Sequence, residues 1–336
     1  MADEKVYVGV DLGGTKILAG VVDSAGKVMS RAKKKTRATE GVDVVVDRIC
    51  NCVVEAIDTA GVRSDRVIAL GIGAAGPVDF DKGVVLTAGN MPWRNVPLRK
   101  QLSAKLGIQT VIVDNDVNAG TYAEWKVGAG KGCDSQLGIF VGTGIGGGLV
   151  LNGQLYRGHF FTAGEIGHTI INAGGSLTGR SLEDLASRAA INVFIARRIS
   201  TNHPSKVSQM VASVSSMFTD IRSRILADAY AAKDPVTVQI VTEAARYVGT
   251  AIANAVTLLS LPRVILGGGV VQAIGKPFAK LVEEQMRADM WPNDLAVELV
   301  DAQLGDDAVM VGAALMARDV AKEGAKQPAK TAPKGK

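Results

Sequence analysis

Aromatic side chains make up only 4% of the 336 residues, there are three cysteines and three histidines, and the amino terminus lacks the cleavable apolar stretch of an exported protein. Three thiols give no even disulfide framework, and Cys50 and Cys52 stand two apart in a helical pattern, so they face different sides. Reduced thiols and a cytoplasmic location are the expectation. Basic charge is scarce once the end of the chain is set aside. The formal charge is +5, but Lys322 to Lys336 hold five lysines against one glutamate, which leaves the rest near neutral. A nucleic-acid face needs a basic stripe on the fold itself, so nucleic acid is not an expected partner. Residues 321–336, rich in Lys, Ala, Pro and Gly, read as a disordered tail. Long apolar runs are missing too. The uncharged stretch Ser135 to Tyr156 is long enough to span a bilayer, yet it carries seven glycines and alternates as strands do, so no membrane segment is expected.

Hydrophobic residues reach 47%, ample core for one large domain or two ordinary ones. Val6, Val8 and Val10 alternate into Asp11, Leu12-Gly13-Gly14-Thr15-Lys16 supply a turn, and Ile17 to Val22 alternate again, which predicts a β-hairpin. Much the same pattern recurs at Gly138 to Val141, Gly142-Thr143-Gly144 and Gly148 to Leu151. A supersecondary unit used twice predicts two related domains. Ile68 to Ile72 and Thr110 to Val113 read as buried strands, and Val42 to Ala60 and Leu98 to Leu106 as helices. From Ser181 the chain is mostly helical, with Ser181 and Asp184 as a capping box. Pro235 to Leu261 predict a long helix, Arg263 to Leu266 a strand, Gly267-Gly268-Gly269 a turn, and Pro277 to Met286 a helix. Strands and helices that alternate in this way indicate α/β domains with mixed sheets, and the site is expected between the domains.

Two stretches have the spacing Gly-x-Gly-x-x-Gly: Gly71, Gly73 and Gly76, then Gly142, Gly144 and Gly147. In a dinucleotide fold the third glycine opens a helix, whereas here the first stretch runs into Pro77-Val78-Asp79 and the second into a strand. Neither is a dinucleotide site. Gly13, Gly14 and Lys16 also fail as a P-loop, whose lysine follows a longer glycine loop that opens a helix. Hairpin turns can still bind phosphate, because successive N–H groups without Cβ atoms between them form an anion-binding hollow. Asp11 stands where it can hold a hydrated magnesium ion beside the phosphates. Either turn alone reads better as an ordinary hairpin turn with a capping Asp. Two of them, each with a threonine (Thr15 and Thr143), favour a phosphate clamp.

Asp116 lies in Asp114-Asn115-Asp116-Val117-Asn118, after the strand Val111 to Val113 and before the helical run Ala119 to Val127. There the helix dipole keeps a carboxylate ionised and able to accept a proton, although a plain N-cap is the alternative. Gly164-Glu165-Ile166-Gly167-His168 sets two polar groups three apart between glycines that allow close backbone approach. A lone histidine is often structural, and Glu183 near a helix start is often only a favourable first-turn charge.

Together these segments resemble the ROK family, named for repressors, open reading frames and kinases, within the hexokinase, actin and Hsp70 superfamily. The resemblance is carried by Val10 to Lys16, Gly73 to Asp79, Asn90-Met91-Pro92-Trp93, Asn115 to Ala119, Gly142 to Gly148, Gly164 to His168 and Gly267 to Gly269, in the family's order across about residues 6–317. It implies an α/β fold of two ribonuclease H-like, actin/hexokinase-type domains with mixed sheets around a central cleft. Residues 1–117 with a C-terminal helix near 307–320 would form the first domain and residues 118–306 the second. It implies an ATP-dependent hexose kinase that moves the γ-phosphate to the 6-hydroxyl of glucose or a close analogue, and a homodimer. Asp116 matches the family's catalytic base. Asn90, Asn115, Glu165, His168 and Glu183 match positions that hydrogen-bond sugar hydroxyls. Asp11 with Gly13, Gly14, Thr15 and Lys16, and Thr143 with Gly144, match the two phosphate segments, with Asp11 toward Mg2+. Gly267, Gly268 and Gly269 match the adenosine segment.

One departure matters. Most members follow the histidine with three cysteines that join it in holding a structural zinc, but Ala173 to Leu182 contain no cysteine. Zinc needs about four good ligands and only His168 remains, so no structural zinc is expected. Polyphosphate-using relatives similarly lack that motif, which keeps a polyphosphate-dependent glucokinase as an alternative. A kinase for fructose, mannose or an N-acetylated amino sugar would keep every motif, and a sugar-binding regulator would bind hexose without consuming ATP. The repressors carry a winged helix-turn-helix ahead of the first phosphate segment, where this sequence has five residues, so the kinase branch is the expectation.

Overall fold

The valine-rich alternation at the start of the chain becomes β1, Val6–Leu12, which pairs antiparallel with β2, Lys16–Val22; β3, Val28–Lys35, pairs with β2 in turn. The computed structural model describes residues 5–89, 91–174, 179–211, 213 and 221–326. On the other side of β1 runs β4, Val67–Ala74, in parallel. A small antiparallel sheet of β5 (Val78–Asp79), β6 (Val84–Thr87) and β7 (Arg94–Val96) follows, then the helix α2 (Leu98–Leu106), and β8, Thr110–Asn115, joins β4 in parallel. The main sheet is ordered β3-β2-β1-β4-β8. β1 is buried nearly end to end, as strands covered on both faces are. On one face α1, Val42–Ala60, presses a stripe of Val45, Val46, Ile49, Cys52 and Val53 into the core around Val8, Val10 and Leu12. On the other lies the C-terminal helix Ala308–Lys326, so close that a Cβ on Gly9 or Gly71 would fall 1.8 or 1.9 Å from the carbonyl oxygens of Met310 and Ala313. This unit takes in the chain up to Val127, Gly158–Thr162, and the chain from Asp306 on.

The second unit, Gly128–Arg157 with Ala163–Gly305, repeats the plan. β9 (Gln136–Val141) and β10 (Ile145–Leu151) form the hairpin, and β11 (Gln154–Tyr156) extends it. β12 (Arg263–Gly267) and β13 (Glu298–Asp301) add in parallel, giving the order β11-β10-β9-β12-β13. The two sheets therefore share one topology, which the recurring hairpin signal anticipates. Leu137, Ile139 and Val141 meet a helical layer in which the long helix Pro235–Leu259 contributes Val241, Ala244, Val248 and Ile252.

Some expectations change. The long helix stops at Leu259, two residues early, because Ser260 turns left-handed at φ 53°. Gly267-Gly268-Gly269 is not a free turn: Gly267 ends β12, Gly268 is the N-cap at φ 95°, and Gly269 is the first residue of a short helix to Ile274. Helix continues through Lys326, so residues 321–326 are not tail, and residues 327–336 lie outside the described residues. Residues 118–127 group with the first unit because their helix packs on the C-terminal one, where a Cβ on Gly312 would sit 1.7 Å from the carbonyl oxygen of Ala119. No helix among the described residues is long and apolar enough to cross a membrane.

Candidate active site

In the first unit the register aligns Asp11 on β1 with Gly73 on β4 and Gly73 with Asp114 on β8, so the functional segments gather at the carboxyl ends of parallel strands. The helix α3, Asp116–Val127, begins directly after β8. Asn115, not Asp116, caps it: its Oδ1 accepts the amides of Val117 and Asn118 at 2.8 and 3.0 Å, and its Nδ2 donates to the Gly76 carbonyl at 3.2 Å. Behind it, buried Asp114 accepts the Asn115 amide at 2.7 Å and the Asn118 side chain at 3.1 Å. Asp116 thus occupies the first helical position without being needed as the cap, although its own Oδ1 lies 2.9 Å from the Val117 amide. The plain-cap alternative for Asp116 passes to its neighbour. Of the hydrogen-bonding capacity of Asn115, one N–H remains for a ligand.

The β1–β2 turn closes with the Gly13 amide donating to the Lys16 carbonyl at 3.0 Å. Thr36, fully buried after β3, clamps it from the side, its Oγ1 donating to the Gly13 carbonyl at 2.6 Å and its amide to the Thr15 carbonyl at 3.0 Å. With those carbonyls tied back, the amides of Gly14 and Thr15 have no acceptor among the described residues, as an anion site requires. The Asp11 carboxyl is pushed up from 3.8 to about 7, first by burial and then by the charge of Asp116; Lys16 opposes this, and Asp306 adds a smaller upward push. A carboxyl set beside Asp116 and Asp306 fits a hard, oxygen-ligated cation such as Mg2+, which favours carboxylate, water and phosphate oxygens.

In the second unit the β9–β10 turn closes with the Gly142 amide donating to the Gly144 carbonyl at 2.8 Å. Ser181 caps the helix α4, Leu182–Ala186, with Asp184 reciprocating in the capping box expected from the sequence. Glu183 leaves the first turn of α4 toward this hairpin, and its Oε2 accepts the Ile145 amide at 2.7 Å. The next helix, α5 (Arg188–Ser200), ties the turn's carbonyls: the Arg188 amide donates to Gly142 O at 2.9 Å and the Ala189 amide to Thr143 O at 3.3 Å. The amides of Thr143 and Gly144 then lack an acceptor among the described residues. Glu165 and His168 sit on a short 3-10 turn laid on β10, where a Cβ on Gly167 would lie 2.0 Å from the Ile145 carbonyl oxygen. His168 is exposed and 3.9 Å from the Glu165 carboxylate. Burial raises the Glu165 carboxyl and the charge of Glu183 adds to that, while His168 opposes it. Gly268 abuts β9, where a Cβ would fall 2.5 Å from the Val141 backbone.

Asp11, Gly13 to Lys16, Asn115 and Asp116 are therefore brought together in the first unit, and Thr143, Gly144, Glu165, His168 and Glu183 in the second. Asn90 lies outside the described residues, as do residues 175–178 of the segment where relatives place zinc cysteines. Among the described residues no cluster of three or more His, Cys, Asp or Glu could hold a metal ion. Sequence reasoning missed Thr36, Asp306 and Arg188. Thr36 and Asp306 carry no local signal, whereas Arg188 has one, an arginine in the first turn of a helix against the dipole.

The model of the ROK family matches residues 7–320. A glucokinase of Streptomyces coelicolor is 34% identical over 320 residues, covering 93% of this chain and 97% of that protein. A crystal structure of a ROK family glucokinase from Streptomyces griseus in complex with glucose and AMPPNP superposes with a TM-score of 0.82 at 34% identity, over 94% of this chain and 99% of that one. A ROK hexokinase from Thermus thermophilus gives 0.78 at 34% identity, over 95% and 100%.

Proposed function

We propose, from the premise that the chain belongs to the ROK family, that it is a sugar kinase transferring the γ-phosphate of ATP to the 6-hydroxyl of glucose. The relatives named glucokinase and the neighbour bound to glucose and an ATP analogue support this reading. The observation that carries it in this chain is the division of labour at the start of α3, where Asn115 caps the helix and Asp116 keeps a carboxylate at the helix's positive end.

Asp116, at the positive end of α3, accepts the hydroxyl proton as the sugar oxygen attacks the γ-phosphorus in line. Glu165, His168, Glu183 and the remaining Asn115 N–H orient the other hydroxyls, together with Asn90. The unpaired amides of Gly14 and Thr15, and of Thr143 and Gly144, take phosphate oxygens and spread the charge of a loose transition state. Gly267 to Gly269 border the adenosine. Asp11 would hold Mg2+ through water, and the ion supplies charge neutralisation on the phosphates. Positioning of the two substrates accounts for most of the acceleration. Free thiols at Cys50, Cys52 and Cys133 fit a reducing, cytoplasmic setting, and the family resemblance favours a homodimer, which light scattering measures.

A coupled ADP-release assay with magnesium and ATP across glucose, fructose, mannose and N-acetylated amino sugars, repeated with polyphosphate, tests the reading. Glucose with ATP should give the highest kcat/KM. Turnover of polyphosphate but not ATP, or of no sugar at all, would overturn it.

A further inference from the structure

The β9–β10 turn carries a cation that none of the roles above uses. Arg188 opens α5, and its Nη2 donates to Thr143 Oγ1 at 2.5 Å while its amide holds the Gly142 carbonyl at 2.9 Å. The guanidinium is thus anchored by one of its nitrogens to the residue whose own amide is unpaired. No carboxylate among the described residues stands within ion-pair distance of it. Arginine at the first position of a helix opposes the dipole, and α5 has no acidic residue in that turn to offset it. A local electrostatic cost offset by a single side-chain hydrogen bond, the one to Thr143, is where a functional role is to be sought.

The surroundings say which role. Glu183 brings a carboxylate to the same hairpin, so close that a Cβ on Gly144 would be 2.3 Å from its Oε2. A polyanion settling on the amides of Thr143 and Gly144 would meet that negative charge unless a cation offsets it. Arg188 is the cation tied to this turn, and four of its five N–H donors are not spent on Thr143. A planar fork of donors matches phosphate oxygens better than a point charge does.

We propose that Arg188 binds the terminal phosphates of the donor at the β9–β10 turn and is a further catalytic residue of this enzyme. The inference rests on the kinase reading and adds to it a side-chain contact with the donor's phosphates. Thr143 then has two tasks, an amide for phosphate and a hydroxyl that aims the guanidinium. No bond forms or breaks at Arg188, which gathers charge as the phosphoryl group passes to the sugar.

Calorimetric titration of the full-length protein with AMP, ADP and AMPPNP, each with magnesium, separates this role from a merely structural one. Arg188→Gln, which retains a donor for Thr143, should weaken AMPPNP about 10- to 100-fold, the range of one charge-assisted hydrogen bond, while AMP binding is unchanged. Arg188→Lys should recover part of the loss. In steady state the same variants should lose kcat/KM for ATP with an unchanged KM for glucose. Thr143→Ala, which frees the guanidinium without removing it, should fall between wild type and Arg188→Gln. Equal weakening of AMP and AMPPNP, or an Arg188→Gln protein that binds AMPPNP as wild type does, would overturn the proposal. Wild type that phosphorylates no sugar would sink the kinase reading instead, and the AMP to AMPPNP series would still report on Arg188.

Discussion

The carboxylate of Glu183 accepts the amide of Ile145 across 38 positions of sequence, at 2.7 Å, and so joins the α4 start to the β9–β10 turn. A residue expected to hold a sugar hydroxyl therefore also shapes the β9–β10 turn, where phosphate binding is proposed. Glu183→Ala should raise KM for glucose and for ATP together, each by about tenfold or more, since one charge-assisted bond is lost and the Ile145 amide is left unpaired. Steady-state kinetics with each substrate varied in turn checks this, and an effect confined to glucose would contradict the coupling.

Asp116 and Asn115 should differ in what their loss does to stability. Asp116→Asn is expected to lower kcat by about two to four powers of ten, with glucose binding retained and the melting temperature near that of wild type. Asn115→Ala removes the cap of α3 and should cost about 1 kcal/mol of stability, seen as a lower denaturant midpoint. Near-normal turnover in Asp116→Asn would remove it from the base role.

The raised Asp11 carboxyl makes a pH prediction whose sign follows from linkage. Its value is about 7 in the folded chain against 3.8 unperturbed. Between those limits the folded state holds a proton that the unfolded state has released, so the contribution of Asp11 to stability falls as pH rises from about 4 to about 7 and is flat above. Urea titrations without magnesium should show Asp11→Asn gaining relative stability across that window. A wild-type to mutant difference constant with pH would be the contrary result.

Gly312 tests the packing that carries Asp116. Gly312→Ala would place a methyl 1.7 Å from the Ala119 carbonyl oxygen, forcing α3 and the C-terminal helix apart. Overpacking of this kind costs about 1–3 kcal/mol or more. Because α3 begins at Asp116, kcat should drop along with the melting temperature, which differential scanning fluorimetry and the kinase assay read in parallel.

Local order in this protein was written in the residues themselves. Period-two runs around glycine turns announced both hairpins, periodic valines placed Val42–Ala60 to the residue, and Ser181 with Asp184 marked the start of α4, since these signals act between neighbours in sequence. Tertiary structure decided the rest: that Asn115 rather than Asp116 caps α3, that Gly267 to Gly269 end a strand and open a helix against β9, and that α3 belongs with the C-terminal helix. It also decided that Thr36 and Arg188 serve the two turns. Those outcomes turn on which backbone amides and carbonyls find partners far along the chain, such as Thr36 on Gly13 and Arg188 on Gly142, and no local pattern of residue types encodes a hydrogen bond made across such distances.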